Sequence, residues 1–352
     1  MKANASGWAS IGASRMAGRR MIAAIRAAGG SILAVHSHNR ERAKAFAKTL
    51  QIPHEFTDLD RMLALPGIDC VYVGNHPRHH AWAVAESLKA GKHTLCEPPL
   101  ALDADEAERL VYMAENRGLA LALNHRLRAA PAIQALKRAL AKETIGDVLG
   151  GRISNTRLLP PDRQGWRLAE AGGGVLLDRT LHDVDLLRYL LDDGPAEVAG
   201  MEGERILSEA VASWPVIEEV FLALRMGRSR ATIQLHDSFL LPHAVDAIEF
   251  YGTRGALIVR HWTGEDEEAW LERVGGKRVT ESPPPFPSVS NSSYVATVKA
   301  FLAAVDATEP PSADNDFLAR GADGVRDLLI IRQIEAFLRR RRRQPLDQPK
   351  NR

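Results

Sequence analysis

The stretch Gly7–Gly18, GWASIGASRMAG, passes from a short apolar run through a turn of small residues into the start of an amphipathic pattern. Gly7 to Ile11 reads as a buried strand, and Met16 to Ala28 as a helix. A strand, a glycine turn and a helix in that order form the phosphate-binding opening of a βαβ unit. Gly12 allows the tight turn. Ser14 stands where a second glycine would let the backbone approach a pyrophosphate. Ala17 is small enough for close helix–strand packing. Gly12, Ala13, Ser14, Arg15 and Met16 are therefore expected to hold a dinucleotide against the helix N-terminus, where N–H groups and the helix dipole favour anions.

Outward from this turn the pattern repeats. Ser31–His36 reads as a strand, and Asn39 can cap a helix running to Leu50. Asp69–Val73 and Lys92–Cys96 are strands flanking a helix over His79–Ala90. Asp103 with Glu106 forms a capping box ahead of another helix, and Ala120–Asn124 is a further strand. Strands alternating with helices imply a parallel sheet covered on both faces. An α/β Rossmann domain is expected over residues 1–124.

After Asn124 the spacing changes. Helices are expected from Pro131 and within 172–192. Strands are clearest at Glu219–Arg225, Ala231–Ser238, Asp246–Tyr251 and Ala256–His261, with Gly252–Gly255 as a hairpin turn. Residues 125–338 thus read as an α+β domain with a mainly antiparallel open sheet, its final helix packing back toward the first domain. Residues 339–352 form a basic tail.

The chain has 352 residues, 45% hydrophobic and 26% charged, as in folded two-domain proteins. Its net charge of +2 is set by the tail, where seven basic side chains meet one acid, Asp347. The acidic remainder argues against a nucleic-acid surface. Two cysteines, Cys70 and Cys96, support neither a disulfide framework nor a multi-cysteine zinc site. No apolar run approaches the ~20 residues of a membrane span, no secretory h-region is visible, and a cytoplasmic location is expected.

The tip of the second strand reads His36-Ser37-His38-Asn39-Arg40. An acid normally binds the adenine ribose 2′-OH there. Ser37 takes that place, and Arg40 with His38 can pair with a 2′-phosphate. This favours NADP, with NAD as the other possibility.

A second constellation lies further on. Cys96-Glu97-Pro98-Pro99 ends a strand. Trp166-Arg167 precedes Gly172-Gly173-Gly174, Asp178, His182, Asp183 and Asp185. Asp178 and His182 are four apart, on one face of a helix, where a carboxylate can orient an imidazole as a general acid/base. His79-His80 diverge on a helix and no metal site is expected. Asn75, expected to contact the cofactor, and His76, Asn124, His125 and Arg126 lie near strand ends, where ligands of parallel sheets bind.

With these marks the chain resembles the Gfo/Idh/MocA oxidoreductases, the glucose–fructose oxidoreductase and inositol dehydrogenase family, over nearly its whole length. The resemblance implies hydride transfer between NAD(P) and a carbinol or ketone carbon of a sugar, cyclitol or related cyclic substrate. It implies His182 as catalytic residue and Asp178 as its substrate-binding partner. Glu97, His80, Trp166 and Arg167 would lie by the cofactor, with His76, Asn124, His125 and Arg126 toward substrate. It also implies a homodimer or homotetramer through the C-terminal sheet. The family's Glu-Lys-Pro motif is here Glu97-Pro98-Pro99, so the lysine that donates to the reacting oxygen is replaced by Pro98. That departure keeps a second expectation open, a non-catalytic member that binds cofactor or ligand and regulates a partner.

Overall fold

The computed structural model describes residues 6–168, 173–204, 216–263, 269–275, 278–281, 291–306 and 317–341. Two compact units emerge. The first comprises residues 1–138, 262–270 and 284–328, and the second 139–261, 271–283 and 329–352. The first unit therefore extends past the 124/125 boundary expected from sequence and reclaims two later segments.

In the first unit, strands β1 (Gly7–Ile11), β2 (Ser31–His36), β3 (His54–Phe56), β4 (Cys70–Val73), β5 (His93–Cys96) and β6 (Leu121–Leu123) form one sheet. Its order is β6-β5-β4-β1-β2-β3, with the two-residue strand Ala319–Arg320 added antiparallel to β6. The β1–β6 pairings are parallel. β1 is central and all five of its residues are buried, which is why it reads as a continuous apolar run rather than an alternation. Trp8 packs against Phe301 of the helix Asn291–Asp306, ring centroids 5.5 Å apart. β3 escaped the sequence reading because its three residues leave no buried run.

The strand order reverses between β2 and β4, either side of β1. Gly12 sits at the mouth of that crevice, its N–H donating to the His36 carbonyl at 2.9 Å. The helix that follows is not uniform. A π-helical turn, Ala17–Met21, precedes the α-helix Ile22–Ala27.

The second unit holds an eight-stranded sheet made from β7 (Val148–Thr156), β8 (Pro195–Glu204), β9 (Glu219–Met226), β10 (Thr232–Ser238), β11 (Ala247–Gly252), β12 (Gly255–Arg260), β13 (Trp270–Gly275) and β14 (Arg278–Glu281). The order is β14-β13-β12-β11-β7-β10-β9-β8. β7 and β10 are parallel, and β8/β9, β9/β10, β7/β11, β11/β12 and β13/β14 are antiparallel. β7 was not foreseen, because Gly150 and Gly151 interrupt its pattern. In the fold a Cβ on Gly151 would lie 2.5 Å from the Glu249 carbonyl, so the glycine permits close strand approach.

One face of this sheet is apolar, with Val220, Leu222, Leu224, Ile233 and Leu235 buried. The other carries Phe221 stacked on His236 at 3.9 Å, a Glu219–His236 contact at 3.0 Å and an Arg152–Glu249 ion pair at 2.6 Å. Glycine 172 and most of the basic tail lie outside the described residues.

Candidate active site

The expected site residues fall into two groups, one in each unit. In the first unit, Gly12 adopts φ +110°, and a Cβ there would lie 2.7 Å from the Asn75 backbone N. Only glycine lets the turn approach the end of β4 this closely. Ser14 does not merely stand in for a glycine. Its Oγ accepts from the Ala17 N–H at 3.2 Å and caps the helix. Arg15 is exposed, Ala13 and Met16 are half-buried, and Ala17 is fully buried. At the tip of β2, Ser37 is buried and accepts from the Asn39 N–H at 3.4 Å, while His38 and Arg40 are exposed.

Next to this turn, Asn75 Oδ1 is buried without a hydrogen-bond partner among the described residues. A buried acceptor beside an open glycine turn fits a polar ligand better than a packed core. The residues present thus suit a dinucleotide: a bare turn, a capped helix start and an unsatisfied amide.

The residues after β4, β5 and β6 form a connected network. Glu97 Oε1 accepts from Tyr72 Oη at 2.8 Å and from Asn124 Nδ2 at 2.7 Å. Burial pushes the Glu97 carboxyl above its ordinary range, against the pull of the Asn124 and Tyr72 hydrogen bonds and of the Arg126 charge. Burial, then the Glu97 charge, drives the Tyr72 hydroxyl up as well. His80 is buried, with Nδ1 2.7 Å from the Pro99 carbonyl and Nε2 3.2 Å from the Asn75 carbonyl. It clamps both segments, and burial holds its ring below the usual histidine range. The Pro98–Pro99 peptide is cis. Arg126 lies over the Tyr294 ring at 5.0 Å. His125 Nε2 lies 3.5 Å from Asp327 Oδ2, both side chains buried. His76 Nδ1 accepts from the Arg78 N–H at 3.3 Å.

In the second unit, a π-helical turn, Leu176–Thr180, leads into the α-helix Leu181–Leu191. Asp178 is in the first segment and His182 in the second. Local widening of a helix to the π form is frequent at functional sites because it re-aims side chains. Asp178 Oδ1 accepts from Arg167 Nε at 2.7 Å, and the Arg167 guanidinium lies 4.4 Å from the Trp166 ring centroid. Trp166 and Arg167 sit on a short helix, Pro161–Arg167, that the sequence did not signal.

A cluster that sequence reasoning missed underlies this helix. Asp183 and Asp237 are both fully buried. Asp183 Oδ1 accepts from Asn155 Nδ2 at 2.9 Å, and Asp237 Oδ2 from Thr180 Oγ1 at 2.5 Å. Burial, followed by the Asp237 charge and the Asp183–Asp237 hydrogen bond, raises the Asp183 carboxyl well above its ordinary range. Asp237 is raised by burial. Arg179 donates to the carbonyls of Asn155, Arg157 and Ser238 and lies over the Phe239 ring at 4.7 Å. Burial lowers its guanidinium to about 10. Asp183 stands in the quoted motif, but nothing in the spacing marks Asp237, which comes from a distant strand.

Among the described residues no helix is long and apolar enough to cross a membrane.

Comparison with known proteins places these halves. The model of an oxidoreductase family with an NAD-binding Rossmann fold matches residues 7–125, and that of the GFO/IDH/MocA C-terminal domain matches residues 133–258. The chain is 35% identical over 320 residues to a 1,5-anhydro-D-fructose reductase of Ensifer adhaerens, covering 90% of this chain and 92% of that protein. It is 25% identical over 300 residues to a myo-inositol 2-dehydrogenase of Thermotoga maritima, covering 85% and 86%. Among solved structures, a 3-ketoreductase variant from Actinomadura kijaniata, in complex with TDP-benzene and NADP, shares the fold. Its TM-score is 0.80 at 24% identity, covering 95% of this chain and 98% of that one.

Proposed function

Because this chain belongs to the Gfo/Idh/MocA oxidoreductase family, an NAD(P)-dependent family acting on sugar CH–OH or keto groups, we propose that it interconverts a ketone and a carbinol on a cyclic sugar or cyclitol, with NADP preferred. The observation that carries the nucleotide preference is the β2 tip. Ser37 supplies a hydroxyl in the place of the usual strand-tip carboxylate, and Arg40 and His38 are exposed beside it. The cyclic substrate is supported by the relatives named for anhydrofructose and inositol.

The turn at Gly12, the helix start capped by Ser14 and the Asn75 amide would hold the dinucleotide. When bound, its nicotinamide ring supplies or accepts the hydride. The protein's own part is proton handling and orientation. His182 gives a proton to the substrate oxygen during reduction and takes it back during oxidation. Asp178, held by Arg167, receives substrate and fixes its angle to the imidazole. Tyr72 and Asn124 hold the Glu97 carboxyl in place, and His80 fixes the Pro98–Pro99 segment beside it.

Steady-state assays with cyclic ketoses plus NADPH, and with sugars and cyclitols plus NADP, test this reading. Turnover is expected with NADPH on a cyclic keto-sugar. His182→Ala should lower it by about 10²-fold or more while nucleotide affinity is retained. Full activity of His182→Ala would remove the proton role from that residue. Tighter binding of NAD than NADP would overturn the nucleotide assignment.

A further inference from the structure

The loop after β4 carries an unusual set of side chains: His76, Arg78, His79 and His80 within five residues. β2 and β4 lie on either side of β1, so their ends stand about 10 Å apart across the Gly12 turn, two interstrand steps. The β2 tip contributes His38 and Arg40. Arg78, His79, His38 and Arg40 are all exposed. Arg78 Nε donates to His79 Nε2 at 2.9 Å, and the His76 and His79 rings meet edge-on at 6.1 Å. His76 also accepts from the Arg78 N–H, which fixes the turn that carries the guanidinium. No carboxylate pairs with Arg78 among the described residues. Two arginines at strand ends either side of β1, Arg40 and Arg78, neither in an ion pair among the described residues, with histidines beside them, describe an anion site.

We propose that Arg78 and His79 form a second wall of the site for the nucleotide's 2′-phosphate, opposite Ser37, His38 and Arg40, and that His79 makes NADP affinity depend on protons. The inference rests on the NADP reading above. Neither residue is needed for the dinucleotide as such, because the pyrophosphate is served by the Gly12 turn.

Proton linkage follows from the surroundings. His79 is held below the usual histidine range by partial burial, then by the Arg78 guanidinium and His38. A phosphate dianion at this place reverses that balance and favours the imidazolium, so binding takes up a proton and strengthens as pH falls. His76 is lowered by burial, Arg78, His79 and His80, and His36 by burial and His38, against the pull of Asp58. His80 is committed to two backbone carbonyls. The phosphate's own second ionisation, near about 6, acts in the opposite sense but is common to every variant.

Titration of the intact protein with NADP and with NAD, between pH 6.5 and 8.5, decides the matter. Arg78→Ala is expected to weaken NADP by about 10-fold or more and NAD by less than about 2-fold, as for loss of a charge-assisted contact. The NADP/NAD affinity ratio of the wild type should rise as pH falls more steeply than that of His79→Gln. Both side chains are exposed, so folding is not at stake. Equal loss of NADP and NAD affinity in Arg78→Ala, or no loss, overturns the second wall. Parallel pH slopes in wild type and His79→Gln overturn the proton linkage. Arg40→Ala separates the two levels. If wild type prefers NADP and Arg40→Ala abolishes that preference while Arg78→Ala does not, only this inference fails. If wild type prefers NAD, the reading beneath it fails.

Discussion

Arg167 Nε donates to Asp178 Oδ1 at 2.7 Å, while the same guanidinium lies over the Trp166 ring. Spacing alone suggested Asp178 as a partner of His182 four residues on. The fold gives Asp178 a cationic partner from a different helix, so its direction is set by Arg167. Residues acting through one contact are not additive. Arg167→Ala and Asp178→Asn should each lower kcat/KM, and the double variant should be little worse than Asp178→Asn alone, a coupling of about 1–3 kcal/mol. Strictly additive losses in the double-mutant cycle would show that Arg167 acts elsewhere.

The Asp183–Asp237 pair ties stability to pH. Asp183 Oδ2 and Asp237 Oδ1 lack a donor among the described residues, and we expect a proton kept between the two carboxyls to supply one. Both carboxyls are raised above the ordinary aspartate value of 3.8. Raised folded-state values mean the stabilisation is complete below that value and is lost as pH rises through the folded-state titration. Asp183→Asn mimics the protonated acid. It keeps an acceptor for Asn155 and offers Nδ2 to Asp237. Its thermal midpoint should exceed that of wild type at pH 8–9, by the equivalent of about 1 kcal/mol, with the gap closing toward pH 4–5. A gap that widens on acidification would contradict the shared proton. Asp183→Ala, which removes the acceptor of Asn155 Nδ2 and the neighbour of Asp237 Oδ1, should be destabilised by about 1–3 kcal/mol at all pH values.

Phe221 is 49% exposed on β9, the second strand from one edge of the sheet, held by its stack on His236. The fold buries Val220, Leu222 and Leu224 on one face of this strand and leaves Phe221 on the other, stacked on His236, which also meets Glu219. We expect this mixed face to join two copies of the chain, Phe221 serving as the apolar anchor and the charged residues as its rim. Phe221→Glu should then shift the protein toward monomer in sedimentation equilibrium without loss of fold by circular dichroism. An oligomer of unchanged strength would place the contact on another surface.

What could be read from the chain depended on how local the cause was. β1 and β4 are buried on both faces, so their apolar runs announced them, and Gly12 announced the turn between. Asn39 and Asp103 showed their helices because a cap is a short-range signal. β7 did not show, since its place between β10 and β11 rests on glycines chosen for a neighbour's approach rather than on alternation. The two π-helical turns have no residue signature. Tyr72 could not be tied to Glu97, because only the sheet order brings β4 beside β5, nor Asp183 to Asp237, because only tertiary packing brings that helix onto β10. Asp178 and His182 were legible as a spaced pair, whereas Arg167 as the carboxylate's partner was not.

Pro98 follows Glu97 at the end of β5 and is half-buried. The resemblance puts a lysine at this position, donating to the reacting oxygen. Proline offers neither a side-chain donor nor a backbone N–H. Loss of a donor aimed at developing negative charge costs about 10²–10³ in rate. Lys92 does not compensate, since its Nζ donates to the Ile68 carbonyl at 2.8 Å. His182 is then expected to be the chief proton donor, and Pro98→Lys tests this. The neighbours that would aim a new side chain are already fixed: Glu97 by Tyr72 and Asn124, and Pro99 by His80. Pro98→Lys should raise kcat on the protein's own substrate by about 10-fold or more, with KM little changed, because the gain arises in the transition state. It should also partly rescue His182→Ala by giving the reacting oxygen a second donor. A fall in kcat with folding and NADP affinity intact would mean that this site uses the shape of Pro98, with its proton chemistry complete without the lysine.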